Sequence, residues 1–520
     1  MKPVKLRRYH AAAWDEPLIM EMGCKGTRGI GVPEADPVVV ETVGRAVDLI
    51  PSKMQRRKPP NLPELSQYHV LQHYLRLSQM TMGMETGVDI GEGTCTMKYS
   101  PKINEALVRL PQMTELHPGQ DEDTLQGLLE IVFRLEGFLK EISGMDAFTF
   151  QPGGGSQAAF TNACLVRQYH ASRGELAQRD EMITTIFSHP CDAATPATAG
   201  FKVINLMPDS NGYPDLDALK AVVSERTAGI MMTNPEDTGL YNPNVDAYVR
   251  AVHDAGGICF TDQANANGIL GIARAMDAGF DACHFNLHKT FSSPHGCEGP
   301  AGGAYGVRRD LARFLPVPVV TFGGGKYHLD YDLPQSIGKV RSFLGNLECA
   351  VRAYAWIMSM GAEGLRMVAE TSVINHNYLD KLLMAIPGVT RPYARGKYRL
   401  EQARYSLEKL YQDTGVGTED VRNRMVDFGI QSYWMSHHPW IVPEPFTPEA
   451  CETYSKADIE YWAAVIRRIV AEAYEDPEKV LTAPHRQAIK RIKAEDVLEA
   501  PEKCSVTWRA HLKKKSKPSL

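Results

Sequence analysis

The chain has 520 residues, 43% of them hydrophobic and 23% charged, with 43 glycines and a net charge of -5. That length accommodates two or three domains with a substantial core, and the composition excludes a disordered or fibrous chain. The mildly acidic balance leaves no electrostatic footprint for a polyanion, so no nucleic acid partner is expected and a small-molecule substrate is the default.

Up to about residue 110, Pro and Gly clusters (PNLPELSQYHV, GVDIGEGTCTMKYSPK) predict an arm with short helices rather than a compact domain. From 122 to 142, Leu125, Leu128, Leu129, Val132, Leu135 and Leu139 recur at helical spacing and predict an amphipathic helix. Short β-rich runs follow at 146–150 (DAFTF), 184–188 (TTIFS), 202–206 (KVINL), 228–233 (AGIMMT), 257–262 (GICFTD) and 282–287 (ACHFNL). Helical stretches such as 156–172, 215–225 and 244–255 separate them. This alternation predicts an α/β fold with a mainly parallel central sheet, whose ligands bind at the carboxyl ends of the strands. Beyond about 330, helices over 345–384 and 455–474 flank a mixed segment at 388–442, as in a smaller α/β C-terminal domain. The expected division is an arm at 1–115, a large domain at 116–335, a small domain at 336–490 and a basic tail at 491–520.

Ten scattered cysteines without a CxxC pair argue against zinc, against any other metal centre and against a disulfide framework, and fit a reducing cytoplasm. The basic N-terminus is followed by no apolar run, and no stretch of about 18 apolar residues occurs, so neither secretion nor membrane spanning is expected.

The chemistry is sought just after each strand. Behind DAFTF comes QPGGGSQAAF, where Gly154, Gly155, Ser156 and Gln157 open a helix with free N–H groups suited to a phosphate; a tight turn alone has the same look. GICFTD ends in Asp262, a costly buried carboxylate unless it caps a helix or meets a cation such as a protonated pyridine nitrogen. Ala264 returns to the same face and can pack under a ring. DACHFNLHKTF presents Lys289 at another strand end, where partial desolvation makes a lysine a nucleophile for an aldehyde. His288 beside it is a further candidate for cofactor contact. The order of phosphate turn, acid and lysine is what fold-type-I pyridoxal 5'-phosphate enzymes require, with Lys289 carrying the cofactor as a Schiff base. His189, after TTIFS, is placed to stack on the opposite ring face, or to hydrogen-bond in its loop. Asn234, in MMTNPEDTG, is placed to reach the cofactor's phenolic oxygen, although Asn-Pro is also an ordinary turn element.

At these residues the chain resembles the P-protein of the glycine cleavage system, glycine dehydrogenase (decarboxylating), in its bacterial second-subunit form. The resemblance is carried by GTCTMKYSPKINEALVRLPQMTELHP, LMPDSNGYPDLDALKAVV, MMTNPEDTGLY, FNLHKTFSSPHG, FLPVPVV and SIGKVRSFLGN, in that order. It implies a fold-type-I transferase architecture, aspartate aminotransferase-like, with Lys289 on the aldehyde, Asp262 at the pyridine nitrogen and His189 on the ring. It also implies PLP-dependent decarboxylation of glycine, with the aminomethyl group passed to lipoyl-H-protein. The expected partner is a P-protein subunit 1 that lacks the cofactor lysine, in a dimer or heterotetramer.

The chain departs from that pattern around the cofactor. HPCDAAT stands where HGTNPAS is usual, HGCEGPA for HGGGGPG, and TDQANANG for a segment like YDGANLNA. Asp192, Cys297 and Glu298 are therefore substrate-pocket candidates; Lys98 and Arg341 are candidates for carboxylate or lipoyl handling, with a structural ion pair the favoured alternative for either. Glu298 would repel an amino-acid carboxylate but suit a second ammonium group. Two alternatives stand beside glycine decarboxylation: a divergent enzyme acting on another amino acid without H-protein, and a non-catalytic regulatory or binding subunit. Retention of Lys289, Asp262 and His189 speaks against the last.

Overall fold

The apolar runs assemble into one seven-stranded sheet in the order β1-β7-β6-β5-β4-β2-β3. Its strands are Ala147–Thr149 (β1), Glu181–Thr185 (β2), Lys202–Leu206 (β3), Thr227–Thr233 (β4), Ile258–Asp262 (β5), Ala282–Asn286 (β6) and Gly303–Val307 (β7). β3, β2, β4, β5 and β6 are parallel, whereas β7 runs antiparallel to both β6 and β1. The computed structural model describes residues 4–44, 46–82, 87–88, 90, 98–294, 301–430, 441–488, 490–491, 505 and 507–516.

Two strands differ from the sequence reading. The run expected at 184–188 begins and ends three residues earlier, because Ser188 turns the chain: its N–H reaches the Thr185 carbonyl, and its Oγ accepts the Thr233 N–H at 2.9 Å. β7 was not anticipated, since GAYGV carries two glycines and a weak β signal. Gly306 is required there, because a Cβ would lie 2.3 Å from the Phe148 ring of β1.

Side chains alternate across a strand, and both faces of this sheet are dry. Met231, Phe260, Ala282 and Tyr305 join Ala158, Leu165 and Val166 of the helix Gly155–Ser172 on one face. Ile230, Met232, Cys259 and Phe285 join the helices Gln126–Ser143 and Val245–Asp254 on the other. Gln126–Ser143 presents Leu128, Leu129, Val132, Leu135 and Leu139, and stops at Gly144, whose φ of 78° is the left-handed helix terminus that glycine takes at least cost. The hairpin Val319–Gly323 with Lys326–Asp330 turns on Gly324 and Gly325, both at positive φ.

A separate core holds the C-terminal part, where Trp462, Ile466 and Ile469 of the helix Lys456–Glu475 pack on Leu379 and Leu383 of the helix Leu347–Leu383. The long helix is broken at Gly361 (φ 64°, ψ 177°). All of this lies in a unit of Met1–Arg7 with Val88–Leu481. A second unit, Arg8–Gly87 with Thr482–Leu520, carries the helices Pro37–Val43, Gln67–Gln79 and Trp508–Lys515. Within it Glu16 is paired with His73 and Arg76, and Glu21 with His511 and Lys515. Among the described residues no helix is long and apolar enough to cross a membrane.

Candidate active site

The segments after the carboxyl ends of β2, β5 and β6 and the turn after β1 converge on one cleft of about 430 Å³. Lys289 lies three residues past the end of β6, in a turn where its N–H donates to the Asn286 carbonyl at 3.1 Å, and is only 5% exposed. The cleft is lined by Gly153, Gly154, Gly155, Ser156 and Gln157, by His189, Asp262 and Ala264, and by His288, Lys289 and Arg341. A smaller lobe of about 40 Å³ shares His189, Asp262, Ala264 and Lys289 and adds Phe187, Thr233, Pro235, Asp237, Asn265, Glu401 and Gln402. A volume of about 300–1,000 Å³ is the usual size of a small-molecule site.

One end of the cleft is built for an anion. The helix Gly155–Ser172 begins at the glycine turn, where first-turn N–H groups have no intrahelical acceptor. Gln157 is spent on the turn itself: its Oε1 accepts the Gly153 N–H at 2.7 Å and its Nε2 donates to the Val340 carbonyl at 2.9 Å. Arg341 lies over Gly153, so closely that a Cβ there would be 2.1 Å from the guanidinium. Gly155 lets the helix sit on β6, since a Cβ would lie 3.0 Å from Asn286 Nδ2 and 3.3 Å from His284 Nε2.

The other end is acidic. Asp262, the last residue of β5, is 3% exposed, and its Oδ1 accepts the Ala264 N–H at 2.8 Å. His284, its cross-strand partner on β6, places Nε2 at 3.5 Å from the same oxygen, an electrostatic contact rather than a hydrogen bond. Burial works to raise the Asp262 carboxyl, but His284, the Ala264 N–H, His189 and Lys289 outweigh it and hold it below the ordinary aspartate range. Burial pushes the His284 imidazole down. Asp192, fully buried, is pushed well up by burial and by Asp262. Ligand atoms of Cys191, Asp192 and Asp262 lie within 4.8 Å of one another. Of the two carboxyls Asp262 is therefore the more acidic, and Asp192 is the one that keeps its proton more readily.

His189 stands between these ends, its Nδ1 accepting the Cys191 N–H at 3.1 Å, so that in the neutral ring the proton sits on Nε2. Ten of the residues singled out from sequence thus surround one cleft: Lys289, His189, Asp262, Ala264, Gly154, Gly155, Ser156, Gln157, His288 and Arg341. Arg341 is at the anion end, against the glycine turn, rather than among the smaller lobe's residues. Three others are placed differently. Asn234 lines neither lobe, because its Oδ1 accepts the Asn242 N–H at 2.9 Å; its neighbours Thr233 and Pro235 line the smaller lobe instead. Lys98 lines neither, because its Nζ is bound to Glu452 at 2.7 Å and Asn267 at 3.0 Å, over the Trp356 ring. Asp192 is behind Asp262 rather than in the lining. Cys297 and Glu298 lie outside the described residues.

Sequence reasoning missed His284, Asp237, Glu401 and Gln402. His284 is five residues before Lys289 on a strand already assigned, but only the register of the assembled sheet sets it opposite Asp262. Glu401 and Gln402 come from the C-terminal part with no local motif to mark them.

No family model matches the chain. It is 44% identical over 512 residues to the probable glycine dehydrogenase (decarboxylating) subunit 2 of Pyrococcus abyssi, covering 98% of this chain and 99% of that one. A protein of the same description from Staphylothermus marinus is 38% identical over 522 residues, 97% of this chain and 98% of the relative. Among solved structures, a glycine decarboxylase (P-protein) of the glycine cleavage system in inhibitor-bound form superposes with a TM-score of 0.70 at 19% identity, covering 85% of this chain and 100% of that one. The fold is that of the type-I pyridoxal-phosphate enzymes.

Proposed function

The chain belongs to the glycine dehydrogenase (decarboxylating) subunit 2 family, and from that premise we propose how its site works: as the pyridoxal-phosphate centre of a glycine decarboxylase that hands the aminomethyl group to lipoyl-H-protein. The single observation that carries this reading is that Lys289 and Asp262 open into the same cleft as the glycine turn and Arg341. An amine for an aldehyde, an anion for a ring nitrogen and a cradle for a phosphate are the three things this cofactor needs.

The first-turn N–H groups at Gly155 and Ser156, with Arg341, would hold the phosphate. Lys289 would hold the aldehyde carbon, and Asp262, kept anionic by its neighbours, would hold the proton on the pyridine nitrogen. His189 and Ala264 would bracket the ring. Pyridoxal phosphate, when bound, supplies an electron sink for the pair left behind as carbon dioxide departs. With its Nζ in the same cleft, Lys289 would also be the group that holds or moves a proton at the substrate carbon. The burial of Lys289 at the floor of the cleft would limit the access of water to that carbon until the lipoyl disulfide arrives. A first subunit and lipoyl-H-protein are the proposed partners.

Reconstituted protein should show the visible band of a lysine-bound cofactor, and glycine should shift it. The substitution Lys289→Ala should abolish the band. A protein that takes up cofactor without involving Lys289, or ignores glycine while responding to another amino acid, would overturn the reading.

A further inference from the structure

The smaller lobe next to Lys289 has an unusual set of polar walls. Among its described lining residues the only basic side chains are Lys289 and His189. The nearby arginine, Arg404, is buried, paired with Asp237, and does not line the lobe. Instead the lobe presents Glu401, Gln402, Asn265 and Thr233. Glu401 is 1% exposed, and its Oε2 has no hydrogen-bond partner. That oxygen is pressed against Gly268, where a Cβ would come within 2.0 Å of it, so a side chain at 268 would displace the Glu401 carboxyl.

The charge of Glu401 is set by its surroundings. Glu449 lies beside it and accepts from the amides of Asn265 at 2.8 Å and Asn267 at 2.7 Å; Lys98 and Glu452 continue the same network. Asp237 with Arg404, and Asp262 with His189 and Lys289, face it across the lobe. Burial and the neighbouring Glu449 push the Glu401 carboxyl up to about 8, so at neutral pH it is an acid carrying its proton. A buried O–H without an acceptor costs about 1–3 kcal/mol, and a ligand oxygen would satisfy it.

We propose that the Glu401 carboxyl, as a hydrogen-bond donor, receives the carboxylate of the amino-acid substrate. The inference rests on the glycine-site reading: Lys289 and the cofactor deal with the amine, which leaves the carboxylate for the lobe. A neutral acid suits a decarboxylase better than an arginine clamp, because strong ground-state stabilisation of the departing carboxylate would raise the barrier. The prediction follows that an ionised Glu401 repels the substrate.

The test compares glycine with methylamine, which has the amine but no carboxylate, on the reconstituted holoenzyme. Both are titrated against the cofactor band over about pH 6 to 10, and the ratio of their dissociation constants is followed. Dividing by methylamine removes the titration of protein groups that act on the amine, once each constant is corrected for the different amine pKa of its own ligand. In the wild type the ratio should rise about tenfold per pH unit above pH 8 or so. In Glu401→Gln, which cannot ionise, it should stay flat, with glycine binding at neutral pH changed only a few-fold. A flat wild-type ratio overturns the inference without touching the glycine reading, as does a rise that persists in Glu401→Gln. If glycine perturbs the band at no pH, the glycine reading falls and takes this inference with it.

Discussion

Replacing Gly153 by alanine isolates the anion end of the cleft without touching a charged group. The backbone there has no positive φ, so the substitution carries no conformational strain. The new methyl would lie 2.1 Å from the Arg341 guanidinium. Ordinary contact needs about 3.5 Å, so the guanidinium must withdraw by about 1.4 Å, enough to break a hydrogen bond to a phosphate oxygen. Hydrogen bonds to charged groups contribute about 1.5–3 kcal/mol, so Gly153→Ala should weaken pyridoxal phosphate binding roughly 10- to 150-fold. Fluorescence or absorbance titration of apoprotein with cofactor measures this. Arg341→Ala should lose as much, and the double variant little more than either, because both remove the same contact. Additive losses, or single variants within twofold of wild type, would refute the placement of Arg341 on the phosphate.

Asp262→Ala should leave cofactor attachment at Lys289 but lower turnover about 10²–10³-fold, the scale of removing a preorganised electrostatic partner; the attachment is read from the visible band and the turnover from carbon dioxide release. Gly239→Ala places a Cβ against the Gln402 carbonyl at a position with φ of 72°, and should cost about 2–4 kcal/mol in urea unfolding. Buried Glu472 is paired with Arg424 at 2.9 Å and Lys479 at 2.8 Å. Burial opposes its ionisation, but these cations hold the carboxyl down to about 2. A depressed carboxylate stabilises the fold above its unfolded pKa of about 4.3 and loses that contribution as pH falls toward 2. Arg424→Met should therefore cost about 3–5 kcal/mol at pH 7, and less at pH 3, in denaturant midpoints.

The sheet was legible because four of the five parallel strands, all but the edge strand β3, are almost wholly buried and read as apolar runs, Ile258–Asp262 most clearly. β7 was not legible, since Gly303 and Gly306 serve contacts with Gly154 and Phe148 and remove the β signal. The acid, the lysine and the glycine turn were found because strand ends in an α/β sheet restrict the search. His284 was overlooked because an isolated histidine on a strand carries no signal until its register with Asp262 is known. Asn234 and Lys98 each had a structural alternative in the sequence, a turn for the first and an ion pair for the second; Asn234 fixes the Asn242 backbone and Lys98 is paired with Glu452 in a buried polar network. The wall of the small lobe was invisible for another reason. Glu401 is 112 residues beyond Lys289 in the chain, and only packing of the C-terminal part against the Asn265–Gly268 turn brings them together.

The most direct test of the account is exchange of labelled carbon dioxide into the carboxyl group of glycine, by the holoenzyme with a first subunit and oxidised lipoyl-H-protein. Exchange that requires Lys289 and H-protein together is the predicted result. Absence of exchange with glycine, in protein whose lysine-bound cofactor band is intact, would contradict it.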